Sequence, residues 1–230
     1  MQPLITEAAV AAGREESPGK RGKPMGITER REREKEEIRR KILDAARDLF
    51  AREGYDHVTM RAIADAIEYS PTTIYNHFED KDDLVMALCY EDFGRLLGAL
   101  SLSPRAEDPL EWIRQLGRAY AAFGGTYPNH YRFMFMTPEK ARIEKHDVSP
   151  GEQSFALLRS AVAEAIAKGR FVPGDADTMA QVLWSALHGV VSLHATFRAD
   201  QWPCRPPAED LVDRVIENGI RGFLATPGKA

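Results

Sequence analysis

Two cysteines in 230 residues, Cys89 and Cys204, are too few and too far apart for a disulfide framework or a zinc finger, and they suit a reducing compartment. The common catalytic signatures are missing too: there is no H-E-x-x-H pair, G-x-S-x-G elbow, phosphate loop or dinucleotide fingerprint. His57, His77, His130, His146, His188 and His194 fall beside no cysteine pair, so no metal, cofactor or enzyme activity is expected. Positive charge is not in excess, since 31 Lys and Arg against 35 Asp and Glu leave a net charge of -4. That excludes holding nucleic acid by bulk charge and requires any such binding to come from locally placed groups. Strand-period alternation, internal repeats and low-complexity tracts are absent, which leaves an all-α chain of about nine helices. The opening MQPLITEAAVAAG has no basic lead, and Glu7 interrupts its apolar run, so it does not read as a secretion signal and a cytoplasmic protein is expected. Thr178 to Phe197 carries no formal charge. Gln181, Ser185, His188, Ser192, His194 and Thr196 nevertheless dilute it, which favours a helix buried in protein over a membrane span.

What is present is an ordinary globular composition, 43% hydrophobic and 29% charged. Residues 1–27 mix Gly, Pro, Ala and charge without periodicity and read as a disordered arm, in which Arg14, Lys20, Arg21 and Lys23 are either solvated or available to the phosphates or minor groove of a nucleic acid. From Thr28 a long helix begins, charged at its front and apolar at Ile38, Ile42, Ala45, Ala46, Leu49 and Phe50, until Gly54 ends it. Arg39 and Arg40 lie where they could approach a phosphate. Thr59 then caps a short helix with Met60, Ile63 and Ile67 on one face. Only Glu68 and Tyr69 separate it from SPTTIYNHF, in which Ser70 suits an N-cap, Pro71 the first helical position, and Ile74 and Phe78 a buried face. The opposite face presents Thr72, Thr73, Tyr75, Asn76 and His77, groups able to meet base edges and phosphates. Two short helices joined so tightly, the second polar outside, form a helix-turn-helix whose second helix would lie in the major groove.

Over this module the chain resembles the TetR family of transcriptional regulators, on Thr59, Arg61, Ile63, Ala64, Ser70, Pro71, Thr73, Ile74, Tyr75, His77, Phe78, Lys81 and Leu84. One residue departs: where the family usually has glycine in the turn, Glu68 would strain a left-handed backbone by roughly 1 kcal/mol. The resemblance implies a helix-turn-helix DNA-binding domain over 28–82. Its contacts would come from Thr59, Arg61, Ser70, Pro71, Thr72, Thr73, Tyr75, Asn76, His77 and Lys81, with Lys81 at a phosphate. A helical effector-binding and dimerisation domain is implied over 83–226, released from a palindromic operator by a small, largely apolar effector that tilts the helix from Asp80 to Leu100. Trp184, His188 and Gly189, with Tyr131 to Phe135, further resemble TetR-like C-terminal domains bearing a Trp, His, Gly signature.

Beyond Leu100 the expected helices are Leu110–Phe123, Tyr127–Met136, Pro150 to near Gly169, Asp175–Phe197 and Pro207–Leu224, with a polar loop from Thr137 to about Ser149. The last carries Leu211, Val212, Val215, Ile216, Gly219, Ile220 and Phe223, a stripe wide enough to pack inward and against a partner, so the last two helices from each of two chains are expected to form a four-helix dimer interface. Trp112, Tyr120, Phe123, Tyr127, Phe133, Met134, Phe155, Trp184 and His188 either pack as plain core or line the effector pocket that the resemblance implies. An alternative keeps the helical fold but makes it a small-molecule-binding enzyme or an interaction module.

Overall fold

The structure, a computed structural model, describes residues 26–136, 149–197, 200–202 and 204–225. Six of its helices begin where a side chain offers an oxygen to the first free amides. After α1 (Ile27–Glu53), Thr59 Oγ1 accepts from Ala62 N to start α2 (Met60–Ala66), and Ser70 Oγ accepts from Thr73 N to start α3 (Pro71–Tyr75). Asp80, Asp108 and Asp175 cap α4 (Lys81–Ser101), α5 (Pro109–Thr126) and α8 (Ala176–Thr196) in the same way. Between them come α6 (Pro128–Met136) and α7 (Pro150–Ala167), the latter opened by a reciprocal Ser149–Glu152 capping box, and α9 (Ala208–Phe223) closes the order. No strand is assigned among the described residues; one isolated bridge, Phe171 with Leu224, ties the turn after α7 to the end of α9. No described helix is long and apolar enough to cross a membrane.

The chain divides into Met1–Glu37 and Ile38–Ala230. In the first unit the described residues are the charged opening turns of α1, where exposed Arg30 and Glu34 pair at 2.8 Å. The arm expected over 1–27 lies outside the described residues except for 26 and 27, and so does the polar loop expected after Thr137, up to 148.

The second unit holds two apolar clusters. One gathers Ile42, Leu43 and Phe50 of α1, Val58, Ile63 of α2, Ile74 and Phe78, all buried. Leu84, Val85, Leu88 and Cys89 of α4 and Phe133 of α6 belong to the same cluster, and Ile67 packs against it partly buried. Ile74 is the one fully buried side chain of α3, worth about 1.5–3 kcal/mol. Ordering five backbone residues costs about 1–2 kcal/mol each, so α3 exists only as part of this cluster. The second cluster surrounds α5, which packs against α4, α6, α7, α8 and α9. The two clusters divide within α4, between Cys89 and Leu96, rather than at a linker.

Candidate nucleic-acid interface and effector site

The turn before α3 puts Glu68 at φ 60, the left-handed conformation that glycine adopts more freely. Ser70 and Thr59 spend their hydroxyls on capping, and Thr73 Oγ1 lies 3.0 Å from Ser70 Oγ. The exposed face of α3 is therefore Pro71, Thr72 and Tyr75, continued by Asn76, with Tyr75 55% exposed. Arg61 projects from α2 with 82% of its side chain exposed, 4.0 Å from Asp65. His77 is half-buried. Lys81, partly exposed at the start of α4, donates from Nζ to the Tyr55 carbonyl and stands 3.8 Å from the centre of the Tyr55 ring. Arg39 likewise lies over the Phe78 ring, 4.7 Å from its centre, at the edge of the head's core.

In the second cluster Tyr120, Tyr131 and His188 share hydrogen bonds. The Tyr131 hydroxyl is 2.6 Å and the Tyr120 hydroxyl 3.0 Å from His188 Nδ1, and the two hydroxyls are 3.0 Å apart. Either a tyrosine hydroxyl donates to an unprotonated Nδ1 or Nδ1–H donates to a tyrosine oxygen, according to the tautomer, and the Tyr131 hydroxyl also reaches the His188 carbonyl at 3.4 Å. Burial lowers the His188 pKa, which favours the neutral imidazole, and pushes Tyr120 up to about 12; Tyr131 is raised as well, burial again leading. Phe135 packs on Tyr131, His188, Trp184 and Tyr120 with ring centres 4.9–6.2 Å apart, and Phe155 meets Trp184 at 6.4 Å. Trp184, Phe135, Phe155 and His188 remain partly exposed, so this is an uncharged, half-covered aromatic site with three polar groups.

The nine residues expected to line a pocket do not share one surface. Tyr120, Phe155, Trp184 and His188 do meet there. Phe123 packs with Tyr127, Trp112 lies under Arg105, and Met134 is enclosed in the core. Phe133 stacks on Phe50 in the head, 5.6 Å between centres, because it sits two positions from Tyr131 and Phe135 and so on the far side of α6. A surface cleft lined by Arg105, Glu107, Glu164 and Lys168 carries its own ion pairs, Arg105–Glu164 at 2.7 Å and Lys168–Glu164 at 2.8 Å. No cluster of His, Cys, Asp and Glu among the described residues is arranged to hold a metal ion.

Residues 42–88 match the family model for bacterial regulatory proteins of the tetR family, and residues 113–218 match that for the tetracyclin repressor-like C-terminal domain. The chain belongs to the TetR family. Among curated relatives, a helix-turn-helix transcriptional repressor of Mycobacterium tuberculosis is 40% identical over 84 residues, covering 33% of this chain and 45% of that one. The regulator TcmR of Streptomyces glaucescens is 31% identical over 104 residues, covering 45% and 46%. The chain thus spans less than half the length of these relatives. Similar solved structures include a protein of unknown function from Rhodococcus sp. RHA1 (25% identity, TM-score 0.67, 92% and 100% coverage) and a TetR family regulator from Marinobacter aquaeolei VT8 (20%, 0.69, 86% and 100%).

One buried group of this TetR-family chain has no counterpart among the residues singled out from the sequence. Arg47, 3% exposed on α1, donates from Nε to both oxygens of Asp92 on α4 at 3.1 and 3.0 Å, and Asp92 is wholly buried. Burial opposes the Arg47 charge, but Asp92 and then Asp44 outweigh it and the pKa rises. His130 of α6 meets the same carboxylate at 2.8 Å. The signal was present: Arg47 and Asp92 interrupt apolar faces, beside Ala46 and Phe50 on α1 and between Leu88 and Leu96 on α4.

Proposed function

We propose that this protein is a DNA-binding transcriptional regulator, a repressor that grips a palindromic operator as a homodimer in the cytoplasm and lets go when a small, largely apolar effector binds. The observation that carries this reading is the exposed, uncharged face of α3, Pro71, Thr72, Tyr75 and Asn76, on a capped helix whose Ile74 is fully buried. With a net charge of -4, sequence-tolerant binding through bulk charge is disfavoured, so these groups would read bases while Arg61 supplies a phosphate contact. Support for a dimer comes from α8, where Val182, Ser185, Ala186 and Leu193 form an exposed stripe beside α9. One short helix contacts few base pairs, and a two-fold pair reads two half-sites about 34 Å apart.

The effector site is the aromatic cluster of Tyr120, Tyr131, Phe135, Phe155, Trp184 and His188. Its lack of formal charge suits an apolar ligand, oriented by the hydroxyls and the imidazole. A differential affinity worth roughly 1–3 kcal/mol would weaken operator binding five- to 150-fold. Selection of purified protein against a random DNA pool tests the reading: a two-fold symmetric consensus is expected, and recovery of no consensus from successive rounds would reject it.

A further inference from the structure

Helix α6 carries contacts of two kinds on two faces. Towards the head, Asn129 Nδ2 donates to Asp48 Oδ1 at 3.1 Å, His130 Nδ1 donates to Asp92 Oδ1 at 2.8 Å, and Phe133 stacks on Phe50. Towards the aromatic cluster, Tyr131 holds His188 and Phe135 packs on both. Residues 130 and 131 are neighbours in the chain, yet one is bonded to the carboxylate that grips α1 and the other to the candidate effector site. An ionised carboxylate only accepts, so the His130 ring must present Nδ1–H to Asp92. Asp92 has no exposure to solvent, so a donor lost from its carboxylate is costly. Its oxygens are shared between Arg47 of α1 and His130 of α6, so a shift of α6 changes how firmly Asp92 holds Arg47. The other charges around the pair are Asp44, 2.7 Å from Arg47, and Glu91, 3.9 Å from Arg47 and itself paired with Arg95.

We propose that Asp92 and His130 are positioning residues that couple the aromatic site to the DNA-reading head: a change at the Tyr131–His188 hydrogen bond reaches α1 through the His130–Asp92–Arg47 chain. Neither residue touches base, phosphate or effector in this scheme. The role assigned to the coupling rests on the regulator reading above, whereas the coupling itself is a property of the folded chain. His130 is the informative position, because its loss leaves the Arg47–Asp92 pair intact. His130→Leu removes the donor, and His130→Asn places an amide N–H near the position of Nδ1.

The test is amide hydrogen exchange of the full chain, read in α2 and α3, with His188→Phe as the perturbation that removes the hydrogen-bond partner of Tyr131 while keeping a ring. In the wild-type background and in His130→Asn, His188→Phe is expected to change exchange of α2 and α3 by about fivefold or more; in His130→Leu the change should vanish. Thermal melts of each single variant identify any that fail to fold. An equal response in His130→Leu, or none in wild type, overturns the proposal. Exchange needs no DNA, so the expected pattern in a protein that selects no operator would uphold the coupling and count against the regulator reading alone.

Discussion

Lys81 has a partner within the head itself. Its ammonium is committed to the Tyr55 carbonyl and lies over the Tyr55 ring, which joins the loop after α1 to the start of α4. Lys81→Ala should therefore lower the stability of the head by about 0.5–2 kcal/mol and leave the salt dependence of DNA binding unchanged. Urea melts and Kd values at several salt concentrations check both parts; a salt slope reduced by about one unit would restore the phosphate role. His188 gives a second residue-scale expectation. Its pKa lies below its ordinary 6.5 because burial disfavours the imidazolium, so the unfolded chain takes up a proton more readily than the folded one. Stability from this group is complete above the ordinary value and is lost as pH falls from there towards the lowered folded value. Urea melts at about pH 7.5 and 5.5 should show that loss, and His188→Phe should remove this part of the slope.

At the scale of the element, the helix-turn-helix depends on a turn in which Glu68 occupies φ 60. Glu68→Gly should raise the melting temperature by relieving about 1 kcal/mol of strain, less the entropy that glycine adds to the unfolded chain; a lower melting temperature would show that Glu68 makes a compensating contact. The helix ends were legible in the sequence because their causes are local. Thr59, Ser70, Asp80, Ser149 and Asp175 each cap within three residues, and the observed bounds fall within a few positions of the expected ones. Which face of α6 meets which neighbour was not legible. Phe133 and Phe135 are the same residue type in one apolar helix, and only tertiary packing sends the first to Phe50 and the second to Trp184. The Arg47–Asp92 pair escaped for a similar reason, since its members stand 45 positions apart and charge on a helix is ordinarily solvated.

For the whole molecule, dimerisation and DNA recognition are one claim, because a single α3 offers too few contacts for a specific site. Val182→Arg puts a charge in the middle of the exposed α8 stripe, where Val182 is 49% exposed in the single chain. Sedimentation should find a folded monomer with operator affinity reduced at least about tenfold; an unchanged dimer would move the interface off α8. The membership of the TetR family shown by the two matched regions accounts for the helical scaffold, and the exposed groups on α3 must account for its use. The most direct measurement is fluorescence anisotropy of the full chain on the selected fragment, at physiological salt with excess random competitor. The account predicts tight, competitor-resistant binding with two chains per site, lost in Tyr75→Ala far more on the selected fragment than on random DNA. Binding that random DNA abolishes, or equal losses on both, would contradict it.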